Sequence, residues 1–203
     1  MGDRAADNLK SDVLTVPNLL SVFRILLVPV FLWSLLNHKS FEALLVFFVA
    51  GITDLLDGLA ARLWHQRSKL GVVLDPMGDK LLMATSFVAL TLPSLARPNA
   101  LPVWLTATVI FRDLLIAGGA LYAYLAWRQK AFLPTLLGKI STGCQVGMVF
   151  LVLLFNDRNV APRIMPWIYG ITMFWTLASG VHYFVAGLRA LAERRGRRDS
   201  PAG

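Results

Sequence analysis

Four carboxylates crowd one short stretch of an otherwise greasy chain. In "TDLLDGLAARLWHQRSKLGVVLDPMGD", residues 53–79, Asp54, Asp57, Asp75 and Asp79 sit among Leu, Ala, Val, Met and Gly. Asp54 and Asp57 stand at i and i+3, Asp75 and Asp79 at i and i+4, so each pair falls on adjoining turns of a helix. At about 100° per residue, Asp54, Asp57, Gly58, Ala61 and Arg62 share one wedge of about 140°. Leu55, Leu56, Leu59 and Ala60 take the remaining side. If the segments flanking "WHQRSKLG" form a helical hairpin, the two acidic faces meet. Four carboxylates that close cannot all stay ionised unaided; either some hold protons or divalent cations neutralise them. Oxygen-only donors suit a hard ion such as Mg2+ or Mn2+. A zinc-type pattern is absent, and His38, His65 and His182 are scattered. Two hard ions about 4 Å apart can hold the attacking and leaving oxygens of a displacement at phosphorus. Simpler uses exist for single members: Asp75 precedes Pro76 and could cap a helix, and Asp54 or Asp57 could pair with Arg62.

The elements that must carry these residues are apolar. The chain has 203 residues, 56% of them hydrophobic and only 16% charged. That balance exceeds what a soluble domain carries and argues for membrane helices. Six windows are long enough to span: 18–36, 41–62, 74–93, 101–127, 133–155 and 164–190. The expected architecture is all-α: an integral membrane bundle of six transmembrane helices with a polar cavity at its cytoplasmic end. Residues 1–17 form a cytoplasmic leader, 18–192 the membrane domain and 193–203 a basic cytoplasmic tail. The first window is too long for a cleaved signal. Cys144 is the only cysteine, so no intrachain disulfide forms. Pro29 lies inside the first window and is expected to kink it.

Charge placement sets the orientation. With a cytoplasmic N-terminus, twelve basic residues fall on the cytoplasmic side and only Lys39, Arg97, Arg158 and Arg163 on the outer side. This fits the positive-inside rule. The tail "RALAERRGRR" reads as an anchor to anionic lipid headgroups rather than a nucleic-acid patch. Arg24, Lys80, Arg112 and Lys139 fall inside apolar windows. Arg24 is expected to snorkel or to line the cavity, and Lys80 to balance local negative charge. Gly118 and Gly119 are expected to pack helices.

The spacing Asp54-x2-Asp57-Gly58-x2-Ala61-Arg62-x8-Gly71-x3-Asp75-x3-Asp79 resembles, residue for residue, the signature of the CDP-alcohol phosphotransferase family of membrane enzymes. The resemblance implies transfer of a phosphatidyl group from CDP-diacylglycerol to an acceptor hydroxyl, with release of CMP. It implies that Asp54, Asp57, Asp75 and Asp79 hold two Mg2+ or Mn2+ ions. Asp79 would also act as general base toward the acceptor. Gly58, Ala61, Arg62, Ser68 and Gly71 would receive the nucleotide and diphosphate, with Pro17 and Asn18 as a further nucleotide contact. The resemblance also points to a homodimer and to the cytoplasmic side of a bacterial cell membrane.

"VPNLLSVFRILLVP" and "GKISTGCQ" look like the branch that makes phosphatidylglycerophosphate and cardiolipin. A phosphate-bearing alcohol acceptor suits buried cations, and Arg112 and Lys139 are the candidates. Glycerol 3-phosphate is the expected acceptor. "FRDLL", with Arg-Asp, looks more like the cardiolipin-forming members, whose acceptor is phosphatidylglycerol; inositol phosphate is a third choice. A membrane cation carrier is the rival class, because intramembrane carboxylates also line ion paths. A carrier favours acids near the midplane, whereas these cluster beside a cytoplasmic link.

Overall fold

A computed structural model describes residues 16–63, 71–127 and 135–199, with the side chains of 16–18, 55, 57–63, 71–76, 120–127 and 189–199 outside the description. All regular structure among the described residues is helical. The helices are α1 (Val16–Leu36), α2 (Ser40–Leu63), α3 (Gly71–Thr91), α4 (Val103–Trp127), α5 (Leu136–Asp157) and α6 (Met165–Asp199). Each covers one apolar window. Three segments among the described residues are long and apolar enough to cross a membrane: Leu19–Leu36, Leu136–Asp157 and Met165–Leu188.

Local chemistry sets the ends. α1 starts at Val16, so Pro17 lies in its first turn, where no intrahelical N–H is needed. Pro29 lies within α1, which runs on to Leu36. α1 then closes with paired reverse bonds, His38 N to Leu35 O and Lys39 N to Ser34 O, both at 2.9 Å. His38 occupies the left-handed position of that turn, with φ 57°. α5 ends the same way on Asn159, φ 51°, with Val160 N bonded to Phe155 O at 2.9 Å. α3 starts at Gly71, four residues before Asp75. The capping role open to Asp75 therefore does not hold: Asp75 and Pro76 are already inside the helix. α6 outlasts its apolar window and continues through the basic segment to Asp199, because Ala, Leu, Glu and Arg all favour helix.

The chain divides into two compact units, residues 1–101 with 149–162, and residues 102–148 with 163–203. In the first unit α1 is the central element. It packs along both α2 and α3, while α2 and α3 touch each other little. Phe31 of α1 meets Phe47 of α2 with ring centroids 6.2 Å apart. On the α3 side Gly78 is buried. A Cβ there would lie 3.6 Å from Ser21 O and 3.7 Å from Arg24 Cδ, at ordinary van der Waals contact, so α3 packs closely on α1 at this point. Ser21, Arg24, Phe31 and Leu35 face inward on α1, while Leu19, Val22, Leu26, Val30 and Trp33 are exposed. An outer face as apolar as the inner one belongs against lipid.

The second unit is built differently. Its core contains Leu105, Val109, Met148 and Met165, together with the buried polar residues Thr106, Arg112, Ser141, Gln145, Thr172, Thr176 and Ser179. Gln145 Nε2 donates to Thr176 Oγ1 at 3.2 Å and to Ser141 Oγ at 3.3 Å, tying α5 to α6. Side-chain hydrogen bonds serve as helix glue where apolar burial cannot distinguish lipid from protein. Gly118 and Gly119 do not act as packing sites: both are exposed, and a Cβ at either meets nothing within 4 Å.

Candidate active site

The first and last aspartates of the signature come together, and a third helix joins them. Asp54 enters from α2, Asp79 from α3, and both meet Arg24 of α1. Arg24 Nη1 lies 3.0 Å from Asp54 Oδ1 and 2.5 Å from Asp79 Oδ1. Two oxygens that share one nitrogen are within reach of a single cation. The carboxyls of Asp54 and Asp79 also lie in hydrogen-bonding contact with each other, so the two acidic faces meet at this pair, with Arg24 of α1 joining them. Arg24 is 1% exposed, so it does not snorkel; it faces the carboxylates.

The electrostatics leave room for more positive charge. One buried guanidinium faces two carboxylates that are 44% and 45% exposed. An ionised carboxylate accepts about four hydrogen bonds or ligand bonds, so lone pairs remain open on both. An all-oxygen set with excess negative charge fits a hard divalent ion. Among the described residues no group of three His, Cys, Asp or Glu side chains forms a metal cluster. The side chains of Asp57, Asp75, Arg62, Pro17 and Asn18, and the surroundings of Gly58, Ala61 and Gly71, lie outside the described set, as does Ser68 altogether. Lys80, next to Asp79, is exposed.

The other proposed cations lie in the second unit. Arg112 is 7% exposed. Its Nη1 donates to Asp113 Oδ1 at 2.7 Å and its Nη2 to Ser179 Oγ at 2.6 Å. Neighbours on a helix diverge by about 100°, yet the long arginine side chain curls back to its neighbour. Arg112 Cζ also lies 5.8 Å from the ring centroid of Tyr183, within cation–π range. Its Nε is buried and has no hydrogen-bond partner among the described residues. Tyr183 has a second contact: its hydroxyl accepts the Thr135 N–H at 3.1 Å. Thr135 in turn caps α5, its Oγ1 accepting the Gly138 N–H at 3.2 Å. Lys139 is exposed in the first turn of α5. Tyr183 therefore touches both Arg112 and the helix start that carries Lys139. Sequence reasoning missed Tyr183 and Ser179. Their spacing of four residues on α6 was the available signal, and nothing in it names Arg112 as their partner.

Two carboxylates from two apolar helices gather around a buried arginine, in an all-helical protein with three helices long and apolar enough to cross a membrane among the described residues. The sequence itself gives the class a name: the CDP-alcohol phosphatidyltransferase model matches residues 14–182. The chain belongs to that family and is a transferase. It is 33% identical over 210 residues to the human cardiolipin synthase (CMP-forming), covering 94% of this chain and 67% of the relative. It is 35% identical over 191 residues to the Streptomyces coelicolor cardiolipin synthase (CMP-forming), covering 85% and 82%. A Shigella flexneri CDP-diacylglycerol--glycerol-3-phosphate 3-phosphatidyltransferase is 33% identical over 170 residues, covering 80% and 86%. The chain spans about two thirds of the length of the human and rat relatives.

Proposed function

We propose that this protein transfers the phosphatidyl group of CDP-diacylglycerol to the hydroxyl of phosphatidylglycerol, releasing CMP and forming cardiolipin. The observation that carries the site assignment is the convergence of Asp54 and Asp79 on one nitrogen of Arg24. These are the first and last residues of the signature. Asp54, Asp57, Asp75 and Asp79 would hold two divalent ions, Mg2+ or Mn2+. Those ions supply charge neutralisation at the diphosphate, which phosphorus transfer needs more than covalent help. Asp79 takes the proton from the acceptor hydroxyl. The freed oxygen forms a bond to the phosphatidyl phosphorus while the bond from that phosphorus to the CMP oxygen breaks. Gly58, Ala61, Arg62, Ser68 and Gly71, with Pro17 and Asn18, receive the nucleotide and diphosphate. Arg24 holds Asp54 and Asp79 in register.

The acceptor differs from the glycerol 3-phosphate expected above. The Arg-Asp of "FRDLL" and the relatives named cardiolipin synthase favour phosphatidylglycerol. Glycerol 3-phosphate stands as the second reading, supported by the Shigella relative. Both acceptors carry a phosphate, which Arg112, and Lys139 beside it, would bind. Six spans with the site and both termini cytoplasmic complete the reading, supported by six apolar helices and the bias of basic residues to one side. A homodimer follows from the resemblance alone.

The test is release of CMP by purified protein supplied with CDP-diacylglycerol and Mg2+ or Mn2+, with phosphatidylglycerol, glycerol 3-phosphate and inositol phosphate offered in parallel. The expected result is CMP release dependent on phosphatidylglycerol. Asp79→Asn lowers turnover by about 10³-fold or more while nucleotide still binds, as loss of a general base does. Full turnover in that variant removes the base role, and CMP release with glycerol 3-phosphate alone selects the second acceptor.

A further inference from the structure

The first unit has another polar concavity, at the end away from the carboxylates. It measures about 420 Å³ and is lined by His38, Ser40, Ser94, Leu95, Arg97 and Asn156. Ser40 precedes Asp54 by fourteen residues on the same helix, which at about 1.5 Å per residue places the cavity about 20 Å from the carboxylates. It is therefore a separate place from the candidate active site.

The walls are fixed by backbone and buried amides. The reverse-bonded turn after α1 sets His38, and Ser40 opens α2 directly behind it. Opposite, the α3–α4 connection is pinned by Leu101 N to Leu90 O at 2.8 Å. Asn99 donates to Asn156 Oδ1, 2.8 Å from its backbone N and 3.0 Å from Nδ2, and to Val160 O at 2.7 Å. Asn156 thus spends its side-chain oxygen on the scaffold.

The remaining polar groups have no such employment. The side chains of His38, Ser40 and Ser94 make no hydrogen bond or ion pair among the described residues. Arg97 commits only Nε, to Pro93 O at 3.2 Å, which leaves its two terminal nitrogens as donors. No carboxylate lines the cavity among the described residues. The adjacent acid, Glu42, is held by Lys39 at 2.8 Å. His38 also stands in a backbone region that glycine enters without cost and other residues enter at a penalty. Unpaired donors, one permanent positive charge, hydroxyls on two sides and no competing acid make a receptor for a tetrahedral oxyanion. The volume falls in the range of small-ligand sites.

We propose that this cavity binds a phosphate group, presented either by a lipid headgroup or by a soluble phosphate ester, independently of the site at Asp54 and Asp79. Arg97 supplies the charge, and His38, Ser40 and Ser94 supply the surrounding hydrogen bonds.

The test uses the full chain in detergent and in nanodiscs. Inorganic phosphate and glycerol phosphate are titrated calorimetrically, and retention of phosphatidic acid in nanodiscs is counted by native mass spectrometry. Arg97→Gln and His38→Gly are the variants; the glycine keeps the turn and removes only the imidazole. The expected result is binding weakened at least tenfold in Arg97→Gln and severalfold in His38→Gly, with thermal stability and CMP release as in the unaltered chain. Binding of the soluble anions identifies a soluble ligand, and retention of phosphatidic acid alone identifies a headgroup. Variants that bind both probes as the unaltered chain does, or an unaltered chain that binds neither, overturn the proposal. Because the readout is binding, the proposal stands or falls separately from the transferase reading, which the CMP assay decides.

Discussion

Each unit buries one arginine, and the two are treated in opposite ways. Arg24 meets carboxylates from two other helices, both nearly half exposed, so one positive charge faces two negative ones. Arg112 pairs with its own neighbour Asp113 and donates to Ser179. The Nε of each arginine is buried, so the contrast lies in the partners. The first arrangement gathers two carboxylates on one nitrogen and suits a further cation, whereas the second offers a single carboxylate beside a hydroxyl. The two cores differ in the same sense. The first is packed with Phe31, Leu35, Phe47, Phe87 and Leu90, whereas the second carries a hydroxyl and amide network.

Between the two arginines, the larger effect should come from Arg112. Replacing it with Met removes the guanidinium from Asp113, which is 19% exposed, and from Ser179, at a cost of about 1.5–3 kcal/mol for the lost charged hydrogen bonds. If Arg112 serves the acceptor, kcat/KM for the phosphate-bearing alcohol falls about 100-fold while the KM for CDP-diacylglycerol is unchanged, since a lost charged hydrogen bond is worth about 1.5–3 kcal/mol. The double variant Arg112→Met with Asp113→Leu separates the roles. Its melting temperature should recover, because pair and charge leave together, while the acceptor defect persists. Recovery of both would make Arg112 purely structural and dissolve the contrast with Arg24.

Arg24→Met probes the other arrangement. Without Arg24, Asp54 and Asp79 repel each other, and stability should fall by about 1–3 kcal/mol, less than for a fully buried pair because both carboxylates are solvated. Mn2+ should then raise the melting temperature of the variant more than that of the unaltered chain, since the ion takes over the neutralising role; ligand linkage is worth about 2.7 kcal/mol at one hundred times Kd. A melting temperature indifferent to Mn2+ in both chains would mean that the spare negative charge does not hold metal.

Much of this was legible in the residues, and the remainder shows what one-dimensional patterns lack. Apolar runs located all six helices, since a helix facing lipid is apolar on every side and its window stands out. Spacing placed Asp54 and Asp79 at one site. The identity of the bridging element was not readable, because Arg24 in "SVFRILL" has the same local look whether it snorkels or turns inward. Only the packing of α1 against both α2 and α3, close at Gly78, decides it. The Arg112–Asp113 pair is not readable from helix geometry, which describes where Cβ atoms point and not how far an arginine side chain reaches. Tyr183 escaped notice because its partners, Thr135 and Arg112, are distant in sequence. Gly118 and Gly119 looked like packing sites because small residues favour contact, but a small residue does not create a neighbour.

The smallest effect concerns the hydrogen-bonded core of the second unit. Gln145 is 2% exposed and donates to Ser141 and Thr176, whose hydroxyls are themselves 3.3 Å apart. In water, burying such a network unpaired would be costly, but between membrane helices a hydrogen bond averages only about 0.6 kcal/mol. Gln145→Leu should therefore lower stability by about that amount, a shift of one or two degrees in melting temperature, with CMP release unchanged. Replacing the inward Phe31 of the first unit with Ala should cost about 3–5 kcal/mol by cavity formation. Equal losses for the two substitutions would mean that the polar core bears as much load as the aromatic one, and the division between a packed unit and a hydrogen-bonded unit would then describe composition without describing stability.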